Sequence, residues 1–204
     1  KYLGDSRLTV AVLKPKLNGE KTADAIPEDK NEIEKVVLKN GLRILLREDH
    51  TLPLVNIYAV MNAGLRQEPQ ELNGLHDLTT RVWQKGVRGK DADAISRELE
   101  SRGVSFTING GMNTFGVSFT ALSEDSGFIL DYLEKFLKYP TFPAAEMEKE
   151  KGLMRTALVA RKDSIFATTS RELQETLFLK HPFRLDALGT EETLARIRRT
   201  DLET

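Results

Sequence analysis

Cysteine is absent from all 204 residues, so no disulfide can form and no thiolate can serve as metal ligand or nucleophile. No apolar run approaches the roughly 20 residues a membrane-crossing helix needs, and no membrane span is expected. Net charge is almost absent as well. Thirty basic side chains face 31 acidic ones, which leaves −1 with histidine neutral. Gripping nucleic acid by its phosphates, or an anionic lipid surface, takes concentrated positive charge, and nothing in excess is available here. No Gly-x-Ser-x-Gly elbow is present, so serine-nucleophile hydrolysis has no motif to rest on. Against these absences the chain is 40% hydrophobic and 30% charged, the balance of a globular protein with a real core.

Residues 7–15, "RLTVAVLKP", form a short β-branched run stopped by proline and read as a strand. Residues 16–32 are polar, lack aromatics and contain Gly and Pro, which reads as a linker. The expected division is therefore 1–15 as the closing strand of a preceding domain, 16–32 as linker, and 33–204 as the main domain. Lys1 opens without an initiator methionine or signal sequence, and "RRTDLET" stops inside a helical start. Both ends are expected to be cuts through a longer protein.

Within the main domain, Asn40-Gly41 between two apolar runs predicts a hairpin with both turn residues at positive φ. "LVNIYAVMNAG" predicts a buried strand ending at Gly64. Leu75, Leu78, Val82 and Trp83 fall on one helical face. "DADAISRELESRG" predicts a second helix, capped by Asp91 and stopped by Gly103. Phe115, Val117, Phe119 and Ala121 alternate on the second strand of another hairpin, with Gly110-Gly111 in its turn. No helix start follows that Gly-Gly pair, which argues for a turn and against a phosphate cradle. Ser123 is the expected cap of a helix with an inner stripe of Phe128, Ile129, Tyr132, Leu133, Phe136 and Leu137. Pro143 opens a long helix running toward Lys162, and another helix is expected around 171–178. This order predicts an α+β fold, a two-layer sandwich of a mainly antiparallel sheet with helices packed on one face.

The segment "GLHDLTTRVWQKG" raises the functional question. Together with "LKNGLRILL", "NAG", "FPAAEMEKEKGLM" and "LFLKHPFRLDALGTEETLARI", all in this order, it resembles the pitrilysin/insulinase family of inverted zincins. That family includes the mitochondrial processing peptidases, and the similarity covers about residues 33–204. Its active members carry H-x-x-E-H on the helix that begins at Gly74-Leu75. Histidines at i and i+4 share a helix face and can grip Zn²⁺, and the glutamate beside them acts as base on the bound water. The resemblance places these positions on Asp77, Thr80 and Arg81. It places a third ligand on Ala157, seven residues beyond Glu150, which matches an outer acidic position. Arginine offers no lone pair, threonine no useful basicity, and alanine no donor at all. No metal is therefore expected on this chain, and none of its residues is expected to be catalytic. Asp77 and Arg81 stand one turn apart, where an ion pair is expected in place of the ion.

His76 lies about 100° round the helix from Asp77 and makes no i, i+4 grip with it. His50 falls in a loop, and His181 in "KHPF", which resembles a structural turn of the family. The resemblance implies a catalytically silent domain that closes a chamber and helps position peptide for a zinc-bearing half. That half, elsewhere in the parent chain or in a homologous subunit, would hold the zinc and be the partner. Substrate in the family adds as a strand to a sheet edge. The corresponding residues here are Val104, Ser105, Phe106, Thr107 and Ile108, which otherwise read as an ordinary hairpin strand. Two other classes stand beside this reading. One is a purely architectural subunit, like the peptidase-derived core proteins of the respiratory bc1 complex. The other is an independent metalloenzyme built on His76, Asp77 and Glu150.

Overall fold

A computed structural model describes residues 33–203, so the strand expected at 1–15 and the linker at 16–32 lie outside the described residues. By contact the chain divides between Leu52 and Pro53 into two compact units. In the first, β1 (Glu34–Val37) pairs antiparallel with β2 (Arg43–Leu46). The turn differs from expectation. Gly41 has φ +86°, but Asn40 does not reach positive φ. Instead the Leu38 carbonyl accepts the Gly41 N–H at 2.9 Å, the Leu42 carbonyl accepts the Leu38 N–H at 2.8 Å, and Asn40 Oδ1 accepts the Leu42 N–H at 3.1 Å. That is a three-residue loop, in which only the last position must be left-handed.

The second unit holds a three-stranded antiparallel sheet in the order β3 (Leu54–Asn62), β7 (Thr114–Leu122), β6 (Ser105–Gly110). Its inner face buries Phe115, Val117, Phe119 and Ala121 of β7 against Ile95 and Leu99 of α2 (Ala92–Ser101) and Ile129, Tyr132 and Phe136 of α3 (Ser126–Lys138). Phe106 of β6 stacks on Phe136 at 4.6 Å and lies 4.8 Å from Phe119, so three rings tie strand, strand and helix together. Each such ring contributes about 1.5–3 kcal/mol through burial. β3 departs from expectation: it is not buried on both sides but alternates, with Tyr58 and Val60 exposed on the outer face. Among the described residues the helices pack on the inner face of this sheet, and the fold is α+β as the element order implies.

A second core joins α1 (Leu75–Trp83), α4 (Ala144–Lys162), α6 (Glu191–Arg196) and α7 (Arg199–Leu202) through Leu78, Val82, Met147, Met154, Leu194 and Leu202. Trp83 bridges the two cores. Its ring stacks on Phe115 at 4.5 Å, and its indole N–H donates to the Phe136 carbonyl at 2.7 Å. A two-residue ladder, β4 (Gly86–Val87) with β5 (Lys90–Asp91), follows α1. Asp91 does cap α2, accepting the Ala94 N–H at 2.8 Å.

Two local expectations fail, and a third holds with an earlier start. Ser123 does not cap α3; it begins a 3-10 turn, Ser123–Asp125, and the helix starts only at Ser126 without a side-chain cap. Leu137 turns outward and is exposed, because α3 rotates its stripe onto Ile129, Tyr132 and Phe136. The helix expected around 171–178 is α5, Ile165–Leu177, begun by Ser164 accepting the Ala167 N–H at 3.3 Å.

Candidate functional site

α1 and α4 pack side by side and carry the positions that the zincin pattern would use. Asp77 Oδ2 and Arg81 Nε are 2.8 Å apart, one turn along α1, so the expected ion pair forms. It is joined by a carboxylate from α4. Glu150, its side chain only 8% exposed, receives Lys85 Nζ at 3.1 Å and Arg81 Nη1 at 3.8 Å. Two acids and two bases thus alternate across the α1–α4 contact. The Asp77–Arg81 pair is partly solvated and worth about 0.3–0.5 kcal/mol by itself. Glu150 is different, because a buried carboxylate stripped of its cations is left with an uncompensated charge.

Thr80 is the residue on which the resemblance sets the base. Its hydroxyl donates to the His76 carbonyl within the helix, at 2.8 Å. Its Oγ1 also stands where a Cβ on Gly110 would fall, and His76 Nε2 would lie 2.9 Å from that Cβ. Position 80 has become a packing contact between α1 and the end of β6. Ala157 lies on α4 and brings no donor atom. These residues do not fit a zinc ion. Arg81 cannot lose its proton, Asp77 and Glu150 are committed to cations, and Thr80 and Ala157 supply no ligand. Among the described residues no group of three or more His, Asp or Glu side chains is placed to hold a metal.

The start of α1 is organised by a residue that the sequence did not single out. Gly74 at the N-cap has no side chain to offer, and Glu68 reaches in from outside the helix. It accepts the Gly74 N–H at 3.0 Å, the His76 N–H at 2.5 Å and Asn73 Nδ2 at 2.9 Å. Burial pushes the Glu68 carboxyl above its usual range, against the pull of these three donors. Asn73 also donates to the Asp186 carbonyl at 2.7 Å, which fastens the 185–189 loop to the helix start. Gly74 sits at φ +96°, and a Cβ there would come within 3.1 Å of Gly189 Cα, so glycine is needed twice over. The letters "NGL" and "LDALG" were visible in the sequence; their mutual contact was not.

His76 projects away from the ion network. Its ring meets Phe115 edge-on at 6.0 Å, and burial pushes its pKa down, with Asp77 opposing. His50 is an exposed loop residue 3.7 Å from Glu48, and His181 Nδ1 accepts the Phe183 N–H at 3.2 Å to open a 3-10 turn. The strand expected for peptide contact is β6, which pairs with β7 alone among the described residues and leaves its other edge unpaired. Val104 is a correction within that set. It precedes the strand, is buried, and its N–H closes α2 on the Leu99 carbonyl at 2.9 Å, so only Ser105–Ile108 lie on the edge.

The family described as "Insulinase (Peptidase family M16)" matches residues 43–191. The non-peptidase homolog YmxG of Helicobacter pylori is 25% identical over 78% of this chain and 37% of its own length. An uncharacterized zinc protease YmxG of Bacillus subtilis is 28% identical over 80% of this chain and 40% of its own. Subunit 1 of the mitochondrial cytochrome b-c1 complex of Mus musculus is 24% identical over 97% of this chain and 41% of its own. The chain therefore spans about two fifths of the length of these relatives. A crystal structure of a peptidase M16 inactive domain from Pseudomonas fluorescens superimposes with a TM-score of 0.81. It is 24% identical and covers 84% of this chain and 42% of that one.

Proposed function

The chain belongs to the insulinase family, peptidase family M16, and from that premise we propose that it is a catalytically silent domain serving a zinc-bearing half. In this reading it closes the peptidase chamber and helps position peptide substrate, while the zinc sits elsewhere in the parent chain or complex. One observation carries the silence: Asp77 and Arg81, on which the resemblance sets the zinc ligands, are tied into an ion network with Glu150 and Lys85. Its cations would repel Zn²⁺, and its acids are already engaged. The free edge of β6 at Ser105–Ile108 supports the peptide role, since an extended chain can add to it main chain to main chain. α5 supports the partner. Ile165 and Phe166 are 86% and 83% exposed, and Leu173 and Leu177 continue the stripe along the helix. An apolar stripe of this kind is what a docking face looks like.

The test combines this chain with a zinc-bearing homologous half and follows cleavage of an unstructured peptide. The chain alone should cleave nothing even with added zinc. Its addition should raise kcat/KM of the zinc-bearing half, and Phe166→Glu should remove that gain. Chelator-sensitive cleavage by the chain alone would defeat the proposal. The likeness to a cytochrome b-c1 subunit over nearly the whole chain favours a second reading, a purely structural subunit. That reading is selected if the chain binds the other half with no effect on cleavage.

A further inference from the structure

The dipeptide Asn-Gly occurs four times, beginning at Asn18, Asn40, Asn73 and Asn109. Glycine has no side chain to keep its amide nitrogen away from the side-chain carbonyl of the asparagine before it. Asn18-Gly19 lies outside the described residues, and the other three pairs stand in different surroundings. Asn73 is only 4% exposed. Its Nδ2 donates to Glu68 at 2.9 Å and to the Asp186 carbonyl at 2.7 Å, and Glu68 also holds the Gly74 N–H at 3.0 Å. Asn109 is exposed but extended in β6 opposite Gly116, and Gly110 after it lies so close to α1 that a Cβ there would run into Thr80 Oγ1. Neither asparagine can take its glycine nitrogen onto its own side chain without leaving those contacts. Asn40 is differently placed. It is exposed in the β1–β2 loop, and a Cβ on Gly41 would meet nothing within 4 Å. Its Nδ2 has no hydrogen-bond partner among the described residues, while its Oδ1 accepts the Leu42 N–H at 3.1 Å. That bond turns the side chain forward along the chain past Gly41 and polarises its carbonyl carbon. One restraint opposes ring closure, the Gly41 N–H donated to the Leu38 carbonyl at 2.9 Å. It belongs to a hairpin of two four-residue strands that pairs with no third strand among the described residues, and such a hairpin opens readily.

We propose that Asn40 is a site of spontaneous modification, at which the folded chain converts asparagine to aspartate and isoaspartate. The Gly41 nitrogen loses its proton to solvent base and bonds to Asn40 Cγ; the Cγ–Nδ2 bond breaks, and with a proton returned to Nδ2 ammonia leaves. Water then opens the five-membered imide at either carbonyl. Opening at the side-chain carbonyl leaves aspartate, and opening at the main-chain carbonyl leaves isoaspartate, with the chain rerouted through the former side chain. One water is consumed and one ammonia released, with no change of oxidation state. Both products add a negative charge to the loop. Isoaspartate also lengthens the main chain by a methylene inside a loop closed by the Leu38–Gly41 and Leu38–Leu42 hydrogen bonds, and so loosens the turn end of the hairpin. The site belongs to this chain alone and stands whether or not a zinc-bearing half pairs with it.

The experiment incubates the 204-residue chain at mildly alkaline pH, folded and in urea, and follows each Asn-Gly pair by peptide mass spectrometry, which reads the mass difference between amide and acid. Enzymatic methylation of isoaspartate gives a second readout. In the folded chain Asn40 should convert roughly tenfold or more faster than Asn73 and Asn109. In urea the three should convert at similar rates, because the dipeptide is the same and the protection is gone. Asn40→Gln replaces the five-membered ring by a six-membered one and should remove the isoaspartate signal from the hairpin peptide. Amide exchange at Gly41 and Leu42 should quicken in the isoaspartate product, whereas Asn40→Asp, whose carboxylate still accepts the Leu42 N–H, should keep wild-type protection. The proposal is overturned if Asn40 of the folded chain stays unchanged over a time in which it converts in urea. It is equally overturned if Asn73 or Asn109 of the folded chain converts as fast as Asn40.

Discussion

Lys85→Met should cost more stability than any exposed ion pair could supply. Glu150 is held by Lys85 at 3.1 Å and by Arg81 at 3.8 Å, with its side chain only 8% exposed. At an effective dielectric of about 20, each contact represents about 4–5 kcal/mol of attraction, set against a desolvation cost of several kcal/mol for the buried carboxylate. Removing the ammonium keeps that cost and deletes the nearer attraction. The full loss on breaking a buried pair is about 3–5 kcal/mol; Arg81 remains and Lys85 is about a quarter solvated, so about 2–3 kcal/mol is expected. In thermal unfolding this corresponds to a Tm lower by about 5–10 °C for a chain of this size. Lys85→Met combined with Glu150→Leu removes both charges and fills the space with apolar groups, and should return to within about 1 kcal/mol of wild type. The double-mutant cycle, read by urea titration, should give a coupling of about 1.5–2.5 kcal/mol. A coupling near zero, with Lys85→Met costing less than about 0.5 kcal/mol, would show that Glu150 does not depend on these cations. The network would then not be what joins α1 to α4.

Glu68→Ala removes three accepted hydrogen bonds at the start of α1 and should cost about 2–4 kcal/mol, with the amides of Gly74 and His76 losing hydrogen-exchange protection first. Gly110→Ala pushes a methyl group into Thr80 and His76 and should cost about 1–3 kcal/mol; adding Thr80→Ala should recover part of it, as denaturant midpoints would show. Burial holds His76 below its ordinary 6.5, so the unfolded chain binds a proton that the folded one refuses. The His76 contribution is therefore full above about pH 6.5 and is lost as pH falls through that value toward the folded pKa. His76→Gln should flatten the slope of unfolding free energy between about pH 7.5 and 5.5. Glu68, raised above 4.5, acts with opposite sign, its contribution fading as pH rises through its folded pKa, so the comparison must be between wild type and His76→Gln.

The layers of the fold were legible because their periods are strong. Phe115, Val117, Phe119 and Ala121 alternate and are all buried, and Leu78 and Val82 keep helical spacing and are both fully buried. Failures came where a local signal had a competitor. Ser123 looks like a cap, but a 3-10 turn takes up Ser123–Asp125 before α3 begins. β3 reads as a mainly apolar run because Tyr58 and Val60 occupy its solvent face. Tyr58 has a reason to be there: its ring covers Gly116, with its hydroxyl oxygen 2.7 Å from where a Cβ would stand. A period-2 argument cannot find an outward aromatic that fills the place of an absent side chain on the neighbouring strand.

The ligand chemistry of the α1 segment was legible in the sequence, and the ion network built there was not. Ligand chemistry can be judged letter by letter, so Arg81 and Ala157 disqualify themselves without coordinates. What fills the space depends on which residue of α4 faces which turn of α1, and no pattern within either helix encodes that. Asp77–Arg81 was accessible because both partners lie on one helix; Lys85–Glu150 was not, because its partners meet only through packing. The same limit hid Glu68, whose three bonds are tertiary consequences of the turn before α1. A bound ion would fasten α1 to α4 by pulling carboxylate and imidazole toward one cation. Arg81 and Lys85 pull Glu150 in the same direction with fixed side-chain charges, so the α1–α4 contact can hold without a metal.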